Sequence, residues 1–381
     1  MLRILHITNW FAEPQAPHRT PFITEHLEAL SPYVSQQLWH VEVQESDQPC
    51  HLQMVDRGAG RHALLLQSSV RSWQLRELLT LLLLLILRFR LRRGGWDLVV
   101  VHIAYPLLRF PRLVRALFGR RLLLIEHWSA YHTIFQLSPG SRSLQRLQGM
   151  LATGIPVVAV SQALANDIRR FAVRPDLSVT VVPNAVDTSL FRHDPQVSLP
   201  EGAHFLMVAS WASVKRPLLV FEAIRSLLAE HPTIRLRVIG GGEQLPAMES
   251  FIRTHQLEVA IQLLGPQPKP RIAAELQRAT ALLHPSDYET FSVVCAEALC
   301  CGVPVLASAV GALPELIEPA NGWLVENSPE AWTAALRELL DHPPSWDHNA
   351  IAHQAGARLS REAVGRQLLA VVEQSARPFR R

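Results

Sequence analysis

Short runs of consecutive apolar residues alternate along this chain with longer stretches whose apolar positions recur every three or four residues. LRILHIT (2–8), DLVVVHI (97–103), RLLLIEH (121–127) and PVVAVS (156–161) read as parallel strands, apolar throughout because helices cover both faces. The second half repeats the style with HFLMVAS (204–210), LRVIGGG (236–242), IQLLG (261–265), ALLHPS (281–286) and PVLAS (304–308). Helical patterns at 217–230, 243–256 and 270–279 lie between them. The run ATALLHP (279–285) is a strand ended by Pro285, and VVCAEALCC (293–301) is a helix stopped by Gly302 and Pro304. A polar stretch with two prolines, 188–203, separates the halves. The pattern predicts an α/β chain of two doubly wound domains.

Length and composition agree. At 381 residues the chain exceeds one ordinary domain, and its 48% apolar and 18% charged content suits two packed cores rather than a disordered chain. Cys50, Cys295, Cys300 and Cys301 form no C-x-x-C pair, and no signal peptide opens the chain, so they read as reduced thiols in a cytosolic protein. The histidines are scattered, and no metal site is expected. Charge is uneven: residues 1–190 hold 20 Lys and Arg against 13 Asp and Glu, net +7, and the remainder is net −3. In ELLTLLLLLILRFRLRR (77–93) an apolar run leads into Arg88, Arg90, Arg92 and Arg93. Its unbroken core, Leu81 to Leu87, is far too short to span a bilayer. Two readings stay open: a basic amphipathic helix on the anionic inner face of the cytoplasmic membrane, or a sheet-covering helix with a solvated basic end. The charge comes without aromatic interleaving or a reader motif, so nucleic acid is not expected as a partner.

The densest chemistry lies in ETFSVVCAE, from Glu289 to Glu297. Glu289 follows a strand's carboxyl end, where open α/β sheets bind ligands, and Glu297 lies about one turn inside the next helix. Backbone N–H groups around Ser292, Val293 and Val294 form a helix start, which attracts phosphate. A nucleoside diphosphate on that helix start, its ribose diol on Glu297 and a sugar hydroxyl near Glu289 would use all three parts. The plainer reading makes Glu289 a solvated loop acid and Glu297 an exposed helix residue. Lys215 is the second signal: among 37 basic residues only Lys215 and Lys269 are lysines, and a compact ammonium suits phosphate as a point charge. IGGGEQL (239–245) fails as a dinucleotide fingerprint, because Leu245 stands where the third glycine belongs; the glycines suit a tight turn near ligand.

HPSDYETFSVVCAEALCCGVPVLASAVGALPELIEPANGWLV (284–325) closely resembles the signature of retaining glycosyltransferases of family 4. The resemblance continues through VIGGG (238–242), VASWASVKRP (208–217) and VVPNAVD (181–187), and more weakly through LHITNWFAEPQAPHRTPFITEHLEAL, DLVVVHIAYP, IEHWSAY and AVSQAL. It implies a GT-B-type fold: two Rossmann-like domains, 1–190 on the acceptor side and 200–358 binding the nucleotide sugar, facing a central cleft, with 359–381 returning as a helix to the first domain. It implies a metal-independent transfer of sugar, with retention, from a UDP- or GDP-type donor to a glycan or lipid-linked acceptor in bacterial surface polysaccharide biosynthesis. Catalytic roles fall on Glu289, His127 and Lys215. Donor binding falls on Glu297, Lys215, Arg216, Phe291, Ser292, Val293, Val294, Arg19 and Thr20. Trp10 and Trp128 suit the acceptor side or the core, Asn184 a turn, Ser161 a helix N-cap, and Glu315 the family's later acidic position.

Three departures from the pattern stand out. Ser210 replaces a frequent arginine, with Arg216 or Arg19 as substitutes; His18-Arg19-Thr20-Pro21 replaces a glycine-bearing loop; and Thr290 and Ser292 stand where glycines are frequent. Two other classes are compatible with these residues: a GT-B-type non-hydrolysing epimerase, and a catalytically silent membrane-bound partner of a glycan assembly complex.

Overall fold

The computed structural model describes residues 1–11, 21–47, 50–91, 95–119, 121–132, 141–152 and 154–377. Arg19, Thr20, Arg92 and Arg93 lie outside the described residues. The chain forms two compact units: Met1–Ala185 with Val364–Arg381, and Val186–Ala363.

The first unit runs β1 (Arg3–Thr8), α1 (Pro21–Leu30), β2 (Ser35–Glu45), β3 (His51–Asp56), β4 (Arg61–Ser68), α2 (Trp73–Arg90), β5 (Leu98–His102), α3 (Pro111–Phe118), β6 (Leu122–Glu126), α4 (Arg142–Gln148), β7 (Val157–Ala159), α5 (Gln162–Phe171) and β8 (Val179–Val181). Its sheet has the order β3-β4-β2-β1-β5-β6-β7-β8, parallel except for β3, which pairs antiparallel with β4 at one edge. β1, β5 and β6 are the central strands, buried almost end to end as their continuous apolar runs require.

The second unit runs β9 (His204–Val208), α6 (Pro217–Leu227), β10 (Arg235–Ile239), α7 (Leu245–Thr254), β11 (Ile261–Gly265), α8 (Lys269–Leu276), β12 (Ala281–His284), α9 (Val293–Cys300), β13 (Val305–Ser308), β14 (Gly322–Val325), α10 (Pro329–Asp341) and α11 (His348–Leu359). All its pairings are parallel, in the order β11-β10-β9-β12-β13-β14. The polar stretch 188–203 belongs to this unit. Phe191 in it is fully buried, and the Phe191 N–H donates to Asp187 O at 2.8 Å.

The last helix, α12 (Arg361–Ala376), places Val364, Leu368, Val372 and Ala376 in the core of the first unit with Ile4, Leu30 and Val100. Their spacing of four keeps them on one stripe of the helix, and each buried Val or Leu contributes about 1.5–3 kcal/mol. The contact is close: a Cβ on Gly365 would lie 2.2 Å from the Ala29 carbonyl oxygen.

Candidate functional site

In the second unit three loops converge at the carboxyl ends of β9, β10 and β12. After β10 the chain turns through Gly240 (φ 121°) and Gly242 (φ 150°). A Cβ there would fall 1.8 Å from Ala209 O and 2.6 Å from Trp211 O, so only glycine lets the two loops pass. The buried Trp211 N–H donates to Gly241 O at 2.9 Å, which fixes the segment leading to Lys215. Residues 214–216 are then laced to the chain after β12: Asp287 N donates to Val214 O at 2.8 Å, and Arg216 N to Pro285 O at 3.3 Å.

This lacing sets the Lys215 Nζ on the Glu289 carboxylate, and His284 Nε2 lies 2.7 Å from the same Oε1. Glu289 keeps 12% of its side-chain exposure, Lys215 14% and His284 4%. The Glu289 backbone is held from behind by Gly311 (φ 52°), where a Cβ would meet Glu289 O at 2.1 Å, and by Ala312 N at 2.9 Å. Burial alone would raise the Glu289 pKa, but the charge of Lys215 and the His284 ring outweigh it and bring the carboxyl down to about 2. His284 is pushed below its ordinary value by burial and by Lys215, against the pull of Glu289. A polar network supports the loop from below: Ser286 N donates to Ser308 Oγ at 2.9 Å, and Asn327 Nδ2 to Ser286 O at 2.8 Å.

α9 starts from Ser292 in the left-handed region, φ 69°. The Ser292 hydroxyl lies 3.2 Å from His284 Nε2, donates to Cys295 Sγ at 3.1 Å and makes no capping bond to the helix. The helix's first turn carries no acid either, so its N–H groups keep their positive field for an anion. Burial pushes the Cys295 thiol up to about 12, so it stays protonated and apolar.

Lys215, Glu289 and Ser292 thus meet, with His284 as the hub that sequence reasoning passed over. Its only signal was its place at the end of β12, inside HPSDYETFS. Phe291 and Glu297 are buried, and Val293 and Val294 are half-buried at the helix start. The solvated-helix reading of Glu297 therefore fails. Arg216 is drawn aside to Asp287, 3.3 Å away with both side chains about half exposed, and Ser210 is exposed. Glu315 lies exposed in a single helical turn.

In the first unit, His127 is buried after β6 and its Nδ1 lies 3.2 Å from Asn184 Oδ1. With that oxygen accepting, the ring proton sits on Nδ1, and Nε2 carries the lone pair. Phe22 stacks on the ring at 4.5 Å and His102 at 5.8 Å. Glu126, also missed in the sequence, is fully buried and accepts from the N–H groups of Ala104, His127 and Trp128 and from the Tyr131 hydroxyl at 2.7–3.1 Å. It aims the turn carrying His127 and Trp128. Beyond it a pocket of about 310 Å³, open to solvent, is lined by Trp10, Trp128, Tyr105 and Glu77 among others. Trp10 meets Trp128 edge-on at 5.1 Å, and Tyr105 stacks on Trp128 at 6.4 Å. Ser161 is a helix N-cap, its Oγ accepting from Leu164 N at 3.0 Å.

Residues 24–190 match the sequence model of Glycosyltransferase Family 4, and residues 192–356 that of Glycosyl transferases group 1. The chain belongs to glycosyltransferase family 4. A D-inositol 3-phosphate glycosyltransferase of Kineococcus radiotolerans is 31% identical to this family 4 chain over 230 residues, 53% of this chain and 52% of that protein. A putative colanic acid biosynthesis glycosyltransferase, WcaL of Salmonella typhimurium, is 27% identical over 59% of this chain and 58% of its own. The matched region thus spans little more than half the length of these curated relatives. The crystal structure of Anabaena HepE in complex with UDP superimposes with a TM-score of 0.73 at 17% identity, covering 98% of this chain and all of that one. At that identity the likeness speaks for the fold, which is the GT-B fold.

Proposed function

We propose that this family 4 protein transfers a sugar, with retention, from a nucleoside diphosphate sugar to a glycan or lipid-linked acceptor in bacterial surface polysaccharide synthesis. The observation that carries the reading is the Lys215 ammonium, paired with the Glu289 carboxylate that His284 also holds, beside the uncapped start of α9. Lys215 and the helix start supply positive charge where a diphosphate leaves, which is the largest single term in such catalysis. Glu297 takes the ribose diol, with Phe291 and Val294 beside it. Glu289 orients Lys215 and accepts a sugar hydroxyl. The acceptor attacks on the face from which the diphosphate departs, and a phosphate oxygen takes its proton, so no step is assigned to a metal. His127, with the ring proton on Nδ1, is assigned to the sugar by the resemblance of IEHWS to the family's sugar-lining position. Trp10, Tyr105 and Trp128 offer flat apolar faces for an acceptor sugar ring. The naming of WcaL as a putative colanic acid biosynthesis glycosyltransferase and the UDP in the HepE complex support the pathway and a UDP-type donor.

The test is a thermal-shift screen against UDP, GDP, ADP and their common sugars, followed by product analysis. A ligand at 100 times its Kd adds about 2.7 kcal/mol to stability, and one of the uridine or guanosine compounds should show it. Glycosylated product with the donor's anomeric configuration supports transfer. An epimerised nucleotide sugar, or no shift with any nucleotide, overturns the reading.

A further inference from the structure

α2 has two apolar faces. One covers the sheet, with Thr80, Leu83, Leu84 and Leu87 buried. The other faces outward: Leu75, Leu78, Leu82, Leu85 and Phe89 keep 43–66% of their exposure. The alternating spacing of three and four places these five side chains within about 80° of the helix circumference, on a stripe about 21 Å long. Exposed leucines scattered singly mean nothing, but a contiguous stripe marks a docking face. At 100° per residue, Arg88 and Arg90 flank the stripe, one about 60° to either side, and both are exposed. The only acid of α2, Glu77, is buried against Arg109 at 2.9 Å, so the outward face carries no carboxylate. The unit around it is basic, with 24 Lys and Arg against 13 Asp and Glu, whereas the other unit has 13 against 20.

We propose that α2 lies in the surface of an anionic lipid bilayer, its leucine stripe among the acyl chains and Arg88 and Arg90 at the headgroups. The charge pattern decides the occupant. Two copies paired through this stripe would bring together two basic faces with no acid to meet the arginines, whereas anionic headgroups supply the complement. On this proposal the two sequence readings of the segment are compatible, one for each face. No described helix is long and apolar enough to cross a membrane. An interfacial helix of this kind holds a protein reversibly. For its consequence the inference rests on the glycosyltransferase reading: an enzyme held at a bilayer meets acceptors carried on lipid. The binding itself is measured without turnover, so either reading can fail alone.

The experiment is vesicle flotation with phosphatidylcholine alone and with added phosphatidylglycerol, at low and high salt. Wild type should float with the anionic vesicles and lose binding as salt rises. Leu78→Gln with Leu82→Gln should lower the partition by about tenfold or more, and Arg88→Gln with Arg90→Gln by about fivefold per arginine. The Arg88→Gln, Arg90→Gln pair should change binding to anionic vesicles only. All four positions are exposed, so circular dichroism melts should match wild type. Absence of flotation by wild type at low salt, or equal flotation by the variants, overturns the proposal. A concentration-dependent dimer in sedimentation velocity that Leu78→Gln with Leu82→Gln abolishes would also overturn it, because the stripe would then belong to a second copy.

Discussion

Lys215 and Glu289 form one device. The ammonium rests on the carboxylate, and His284 holds the same oxygen from the other side. Under the proposed function, a diphosphate arriving at the start of α9 must share or displace that pairing. The two residues should therefore respond in opposite ways to removal. Lys215→Ala deletes the charge that meets the phosphates and should weaken nucleoside diphosphate binding by about 10–100-fold, since a charge-assisted hydrogen bond is worth about 1.5–3 kcal/mol. Lys215→Arg keeps the charge in a different geometry and should recover part of that loss. Glu289→Gln releases the lysine, so affinity for the bare nucleotide should hold or tighten while turnover falls steeply. Calorimetry and initial rates on the same preparations separate the cases. Equal losses of affinity and turnover in Glu289→Gln would remove it from the sugar side. Sequence spacing could not show this coupling: the partners are 74 positions apart, and their meeting depends on the backbone lacing of 214–216 to 285–287.

At the scale of elements, the junction of β12 and α9 explains a departure from the family pattern. Ser292 stands where glycine is frequent, and its φ of 69° is the reason glycine is frequent there. A side chain in that region costs about 1–2 kcal/mol. The hydroxyl's contacts with His284 and Cys295 offset much of it, each worth about 1 kcal/mol. Ser292→Gly relieves the strain and loses the contacts, so its stability should lie within about 1 kcal/mol of wild type. Ser292→Ala keeps the strain and loses the contacts, costing about 1–2 kcal/mol. Denaturant unfolding that ranks Ala above Gly would show that the hydroxyl, not the backbone, dominates.

Elements were legible where burial on both faces wrote a continuous apolar run, as in β1, β5, β6 and β12. β2, with polar residues interleaved in SQQLWHVEVQE, and β3, largely exposed, lacked that mark. β14, with four residues, was too short to stand out. The basic helix α2 was legible as amphipathic, but which leucines face outward depends on the sheet beneath it.

Over the whole molecule, acid should act on the two units in different windows. The first unit buries His6, His26, His102 and His127 to within 5% exposure, in a chain of ring contacts at 5.2–5.8 Å. Burial first, and mutual repulsion second, hold His6 at about 3 and His102 well below its ordinary value; burial, against its bond to Pro183, holds His26 at about 4. Burial and His26 do the same to His127, against its bond to Asn184. These rings are neutral in the folded state and charge freely when unfolded. Their pKa values are depressed on folding, so stability is fully present above pH 6.5 and drains away as pH falls toward 3 to 4. With up to four protons taken up on unfolding, the slope can reach about 5 kcal/mol per pH unit. In the second unit the depressed groups are Glu289, whose stabilisation is present above its ordinary 4.5 and is lost only toward about 2, Asp187, and a single imidazole, His284, against four in the first unit. The histidine unit should therefore open first, between about pH 6 and 5. Limited proteolysis at pH 7.5 and 5.5, with cleavage sites mapped by mass spectrometry, should show new cuts within 1–185 before any within 186–363. His102→Phe should shift that opening to lower pH by removing one proton from the uptake. Cleavage that begins in 186–363, or an opening pH unmoved by His102→Phe, would show that the imidazole stack does not set the acid limit.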